Sequence, residues 1–125
     1  MHKSLLGGIS IDCRTDDLDA AAEFWSQALG REKLTSGPGD ENYVGLKRPA
    51  NELDVEVQQV SHDSRVHIDI ETDDIEAEAK RLEALGAKRV QAIREWLVME
   101  APTGQRFCLV PPQRSEFESE ANRWE

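Results

Sequence analysis

The feature that most constrains this chain is that it is written twice. Ser10-Ile11-Asp12-Cys13-Arg14-Thr15-Asp16-Asp17-Leu18-Asp19-Ala20 returns as His67-Ile68-Asp69-Ile70-Glu71-Thr72-Asp73-Asp74-Ile75-Glu76-Ala77, and both copies run on to a Leu-Gly. An internal repeat narrows the possible architectures before any single element is assigned. In each copy the first residues alternate: Ile9, Ile11 and Cys13 against Ser10 and Asp12, then Val66, Ile68 and Ile70 against His67 and Asp69. Period two predicts a strand with one apolar and one polar face. The Thr-Asp-Asp that follows supplies side-chain acceptors for the free N–H groups of a helix start, and negative charge for the positive end of its dipole. Leu18, Ala22, Trp25 and Leu29 then recur at helical spacing, as do Ile75, Ala79, Leu82 and Leu85. Gly30 and Gly86 fit left-handed helix ends.

After each helix the pattern returns to short strands, expected at 42–47 and 53–60 in the first copy and at 88–93, 96–100 and 106–110 in the second, with a weaker signal at 32–35. Gly37-Pro38-Gly39-Asp40, Arg48-Pro49-Ala50-Asn51 and Pro102-Thr103-Gly104 are the expected turns. Each copy therefore reads as βαβββ, which makes the chain α+β. Neither copy can bury its apolar sheet face alone, so the two should pack side by side or exchange partners with a second chain. We expect one domain over 1–112, with modules at about 5–61 and 62–111. The polar stretch 113–125 reads as a tail that Phe117 and Trp124 can pin to a surface.

Charge and composition exclude several roles. With 15 basic and 25 acidic residues the formal charge is −10, which repels phosphate backbones and anionic membrane surfaces. No window approaches the roughly 20 apolar residues of a spanning helix, and the apolar stretch after Met1 is too short for a signal peptide. The expectation is a cytoplasmic protein with no nucleic-acid or membrane partner. Cys13 and Cys108 lie far apart in apolar stretches and read as core or pocket side chains rather than as a disulfide framework.

Three stretches carry a resemblance: Asp16-Asp17-Leu18-Asp19-Ala20-Ala21-Ala22-Glu23-Phe24-Trp25 with Ala28-Leu29-Gly30, then Arg65-Val66-His67-Ile68-Asp69-Ile70, then Val98-Met99-Glu100-Ala101-Pro102-Thr103-Gly104-Gln105-Arg106-Phe107-Cys108. In this order, and with the repeat, residues 5–111 resemble the vicinal oxygen chelate superfamily of glyoxalases, bleomycin-resistance proteins and extradiol dioxygenases, and more narrowly its glyoxalase-like domain group. The resemblance implies two βαβββ modules forming an incomplete barrel with a concave pocket, and commonly a homodimer. It also implies, for metal-dependent members, four ligands, one on the first and one on the last strand of each module. Carried over, those positions are Ser10, Glu56, His67 and Cys108. Ser10 stands where a His or Gln is expected and Cys108 where a Glu is expected, which leaves His67 and Glu56 as the candidate metal ligands for a divalent ion.

Each candidate has two readings. His67 suits a metal ligand or general base, or an imidazole satisfied by polar neighbours. Glu56, with Gln58 on the same strand face, suits a ligand or base, or the solvated face of an outer strand. Cys108 suits a soft ligand or reactive thiol, or an inert buried side chain. Trp25 belongs to the core. Tyr43, Trp96, Val98 and Val110 suit a pocket wall or the core, and Asp12 and Asp69, at equivalent positions, suit a structural job repeated by symmetry. Ser10, Tyr43, Gln58, Trp96, Val98 and Cys108 are accordingly the expected ligand-binding residues, with Glu56 and His67 as the candidate catalytic pair. Three functions fit: a pocket that binds a small organic molecule without a complete metal site; a divalent-metal-dependent lyase, isomerase or dioxygenase; or an assembly module with no substrate. Ser10 and Cys108 tilt the ligand count toward the first.

Overall fold

A computed structural model describes residues 1–35 and 41–125 of the chain; the expected Gly37-Pro38-Gly39-Asp40 turn lies outside the described residues. The elements run β1 (His2–Arg14), α1 (Leu18–Leu29), β2 (Tyr43–Leu46), β3 (Asp54–Val60), β4 (Arg65–Thr72), α2 (Ile75–Ala84), β5 (Lys88–Ile93), β6 (Trp96–Glu100), β7 (Arg106–Val110), α3 (Phe117–Glu120) and β8 (Asn122–Trp124). This is the α+β order expected from the repeat. The weak signal at 32–35 becomes a single bridge from Lys33 to Leu46 rather than a strand. No described helix is long and apolar enough to cross a membrane.

Two compact units emerge, one over Gly8–Val66 and one made of Met1–Gly7 with His67–Glu125. In the first, the strand order is β2-β3-β1. Residues Gly8 to Arg14 of β1 run parallel to β3, with Ser10 opposite Glu56 and Asp12 opposite Gln58, and β2 pairs antiparallel to the other edge of β3. A parallel neighbour has to be reached through a crossover, and α1 and β2 lie in the connection from β1 to β3, so this copy is βαββ among its described elements. The helix α1 begins where predicted: the Asp17 side chain accepts from the Ala20 N–H at 3.1 Å, and Gly30 closes the helix at φ 68°. Ala22 is fully buried among Ile11, Val44, Leu46, Val55 and Val57, with Leu18, Ala21 and Trp25 against them.

The second unit has the order β1-β4-β7-β6-β5, with β8 on the remaining edge of β1. β4 and β7 are parallel, which repeats the first unit's pattern, and β5, β6 and β7 form an antiparallel meander. Asp74 caps α2 by accepting from the Ala77 N–H at 3.0 Å. Ala79, Leu97, Met99, Phe107 and Leu109 form the core. Met99 and Leu109 are fully buried, and each such side chain stabilises the fold by on the order of 2 kcal/mol.

The last member of each predicted helix stripe departs from expectation in the same way. Leu29 and Leu85 are exposed, because they lie in or after the final helical turn, beyond the reach of either core cluster. In the second unit, Ala87 takes the inward place beyond the turn. Gly86 there has φ 108°, which side chains rarely adopt, and a Cβ at this position would lie 3.0 Å from Pro102 Cγ.

Residues 113–125 carry α3 and β8 rather than irregular chain. Phe117 is buried, and Trp124 donates from its indole Nε1 to Ser4 Oγ at 2.8 Å. The anchor beneath them is a network around Glu78, which is fully buried. Its carboxylate receives two hydrogen bonds from Arg81 at 2.8 Å and lies 2.7 Å from His2 Nε2, and the Arg81 guanidinium stacks on the Trp124 ring at 3.8 Å. Burial pushes the Glu78 carboxyl up, but hydrogen bonds from Arg81, His2 and Ser4 outweigh it and hold the group below the usual range. A second buried carboxylate, Glu71, accepts from the Gln113 N–H at 2.9 Å and faces Arg114, whose guanidinium also donates to Gly7 O at 2.9 Å.

Candidate functional site

Alternation along the strands sorts the side chains of each unit onto two faces, and the polar faces collect the candidate residues. In the Gly8–Val66 unit, Val55, Val57, Val44 and Leu46 point to the helix, so Glu56, Gln58 and Tyr43 share the opposite face with Ser10 and Asp12. That face is closed over β1 and half-buried at Glu56, Gln58 and Tyr43. Ser10 is fully buried and Asp12 nearly so. The four expected residues form two cross-strand pairs. Ser10 Oγ donates to Glu56 Oε1 at 2.8 Å, and Gln58 Nε2 donates to Tyr43 Oη at 3.1 Å. Glu56 lies opposite Gly45 on its β2 side, and Leu34 packs 3.4 Å from where a side chain at Gly45 would begin. Leu34 thus adds an apolar group next to this polar wall. Sequence reasoning missed it, since only the bridge through Lys33 reveals its position.

Cys13 projects to the other face, among the core side chains. Burial pushes its thiol up, Asp12 adds to that, and a hydrogen bond with Trp25 only partly offsets it, so the group is an inert core thiol.

In the second unit His67 and Asp69 lie two apart on β4 and share a face, while Asp69 stands opposite Cys108 on β7, and Cys108 stands opposite Val98 on β6. His67 Nε2 is 3.4 Å from Asp69 Oδ1, with side chains 12% and 19% exposed. One donor atom from each of His67, Asp69 and Cys108 lies within 4.8 Å of the other two. The residue that sequence reasoning passed over is Asp69. Its match to Asp12 by repeat symmetry suggested a shared structural job, whereas its position opposite Cys108 places it with the donors. Arg106, the cation closest to Cys108 along the strand, is engaged elsewhere, donating to Glu100 across the hairpin at 3.0 Å. Trp96 shares the face of Val98 at the start of β6 and has the Arg94 guanidinium 5.9 Å from its ring centre, while Val110 lies opposite Glu71. On the other face Val66 and Ile68 are exposed. Only Ile70 of the alternating β4 set reaches the core cluster, so the polar side of early β4 is better covered than its apolar side.

Of the four positions that the resemblance would assign to a divalent ion, the two in the Gly8–Val66 unit, Ser10 and Glu56, are bonded to each other. A serine hydroxyl is a weak ligand next to the imidazole, carboxylate and thiolate donors a transition metal takes, and here Ser10 donates to the carboxylate meant to be its co-ligand. The second-unit pair is different. His67 and Cys108 stand with Asp69 in a group that fits a borderline-soft cation.

The sequence matches no curated protein. Solved structures share the fold. Methylmalonyl-CoA epimerase from Mycobacterium tuberculosis superposes with a TM-score of 0.65 at 16% identity, over 87% of this chain and 88% of that one. The Mn(II)-bound glyoxalase from Novosphingobium aromaticivorans gives 0.58 at 17% identity, over 92% of this chain and 44% of that longer one. A glyoxalase/bleomycin resistance protein/dioxygenase superfamily member from Vibrio splendidus gives 0.51 at 19% identity, over 87% and 99%. At these identities the likeness is one of fold, and it agrees with the repeated strand-helix-strand order of β1 to β7, βαββ in the first copy and βαβββ in the second. The glyoxalase-like domain model matches residues 8–110, spanning both copies of the repeat, and the chain belongs to that family.

Proposed function

We propose that this protein binds a small organic molecule on its polar strand faces, without an ion at the four positions that metal-dependent relatives use. The observation that carries this reading is the Ser10 to Glu56 hydrogen bond, which turns two ligand positions into a pre-organised polar wall. Beside it the Tyr43 to Gln58 pair offers further donors and acceptors, and Leu34 offers apolar surface. A few fixed polar groups among apolar ones are the usual make-up of a small-molecule site. Thermal-shift screening of acyl-thioester, keto-acid and aromatic compounds tests it. A hit should raise the melting temperature of the wild type and lose most of that shift in Tyr43→Phe or Glu56→Gln. A hit unaffected by either change would remove this face from the reading.

A second reading, divalent-metal-dependent lyase, isomerase or dioxygenase chemistry, is favoured by the convergence of His67, Asp69 and Cys108. Elemental analysis of untagged protein and of His67→Ala separates the two: near-stoichiometric metal that vanishes in the variant supports it, and trace metal in both sinks it. The partner we expect in either case is a second copy of the chain. The exposed Phe24 and Leu29 on α1 support that expectation, and sedimentation analysis at micromolar concentration checks it.

A further inference from the structure

We infer that any ion this protein binds is held within the second module alone, by His67, Asp69 and Cys108, and that it is of the zinc class. The inference rests on the metal-dependent reading above and sharpens it: Asp69, rather than Glu56, is the carboxylate ligand.

Strand geometry makes the argument. His67 and Asp69 project from the same face of β4 because they are two residues apart, and the parallel register sets Asp69 beside Cys108. Zinc takes nitrogen, oxygen and sulfur donors at about 2.0–2.3 Å in tetrahedral sites, which puts neighbouring donor atoms about 3.3–3.6 Å from each other. His67 Nε2 and Asp69 Oδ1 already stand 3.4 Å apart. That is long for a charge-assisted hydrogen bond, which prefers about 2.7–2.9 Å, but it is the edge of such a tetrahedron. The full set spans no more than 4.8 Å, so side-chain rotations of about 1 Å close it around an ion. Three protein donors leave a fourth position open, and Val98, across from Cys108, gives that position an apolar flank.

The donor types choose the ion. A thiolate and an imidazole favour zinc over manganese, magnesium or calcium, which prefer oxygen donors. A carboxylate in place of Cys108, as at the matching position of metal-dependent relatives, would have suited a harder ion.

The test uses the untagged full-length chain, stripped with a chelator and dialysed. Co2+ and Zn2+ are added separately, with Zn2+ affinity measured in competition with a chromophoric chelator. The wild type should take up one equivalent, and the Co2+ form should show the near-ultraviolet sulfur-to-cobalt charge-transfer band. Cys108→Ser should abolish that band while Cys13→Ser keeps it. The isosteric Asp69→Asn should weaken Zn2+ by about tenfold or more, and Mn2+ should compete at least about tenfold less well than Zn2+. Ser10→Ala and Glu56→Gln should leave both readouts in place. Circular dichroism on each variant separates lost binding from lost fold, and Asp69→Asn, which changes no volume, stands as an independent test if Cys108→Ser unfolds. A band that survives Cys108→Ser, or Zn2+ affinity that falls with Glu56→Gln but not with Asp69→Asn, would overturn this donor set while leaving the metal reading alive. A wild type that binds neither ion at micromolar concentration would overturn both.

Discussion

Gly7 shows how closely the chain is fitted around a buried charge. A Cβ there would lie 2.5 Å from Glu71 Cγ and 2.6 Å from Oε2, and that carboxylate is tied to the Gln113 and Arg114 backbone N–H groups. It cannot move aside without breaking those bonds, so Gly7→Ala should destabilise by about 1–3 kcal/mol, as overpacking does, read as a lower urea midpoint with unchanged slope. An unchanged midpoint would mean that Glu71 has room the geometry denies. At this scale the sequence was legible where alternation alone decides. It placed Glu56 with Gln58 on one face of their strand, and His67 with Asp69 on the polar face of theirs. It was silent where register decides. That Ser10 meets Glu56, and that Asp69 meets Cys108, depends on which residues stand opposite across parallel strands, and no local pattern carries that information. The same limit hid Leu34.

Among the elements, caps and strands were the easiest to read, because their determinants are local. Asp17 and Asp74 both cap as the repeated Thr-Asp-Asp implies, and Asp74→Ala should cost about 1 kcal/mol in a thermal melt. The C-terminal segment was harder, for a physical reason: its polar composition describes its exposed side, while two aromatics do the packing. Phe117 is 4% exposed and sits on a helix of four residues, too short to leave a periodic signal. β8 pairs only His2 to Ser4 of β1 with Asn122 to Trp124. The prediction at this scale is that Phe117→Ala costs about 3–5 kcal/mol, the usual price of emptying a buried aromatic site. Trp124→Ala should loosen the same segment by removing the stack on Arg81 and the bond to Ser4. Hydrogen exchange of the β8 amides should therefore accelerate in both variants, before those of β6 and β7 do. Uniform acceleration across all strands would instead make the segment part of one cooperative core.

For the whole molecule the dominant quantity is charge. At −10 the folded chain repels itself at neutral pH, and salt that screens this repulsion should raise its melting temperature. As the pH drops toward the isoelectric point near 4.7 the net charge fades, so the salt benefit should fade with it. Below that a different term takes over. The Glu78 carboxyl is held low in the folded state by Arg81, His2 and Ser4 against the cost of burial, so the folded chain prefers it ionised more strongly than the unfolded chain does. A depressed folded pKa contributes stability that is complete above the unfolded value, about 4.3 for a glutamate, and is lost as pH falls through the folded value. Two opposed slopes follow. Between pH 7 and 5 stability should hold or rise slightly as repulsion is relieved, and below about pH 4.3 it should fall. Glu78→Gln separates the two terms. It should lower stability at pH 7, where an ionised acceptor for Arg81 is lost, and should flatten the acid limb while leaving the salt effect at pH 7 unchanged, because a single charge in a net −10 hardly alters the overall field. Melting curves at three pH values, each at low and high salt, decide it. If the variant's acid limb is as steep as the wild type's, the acid sensitivity resides in other carboxylates, and the Glu78 network is a packing feature rather than the titrating one.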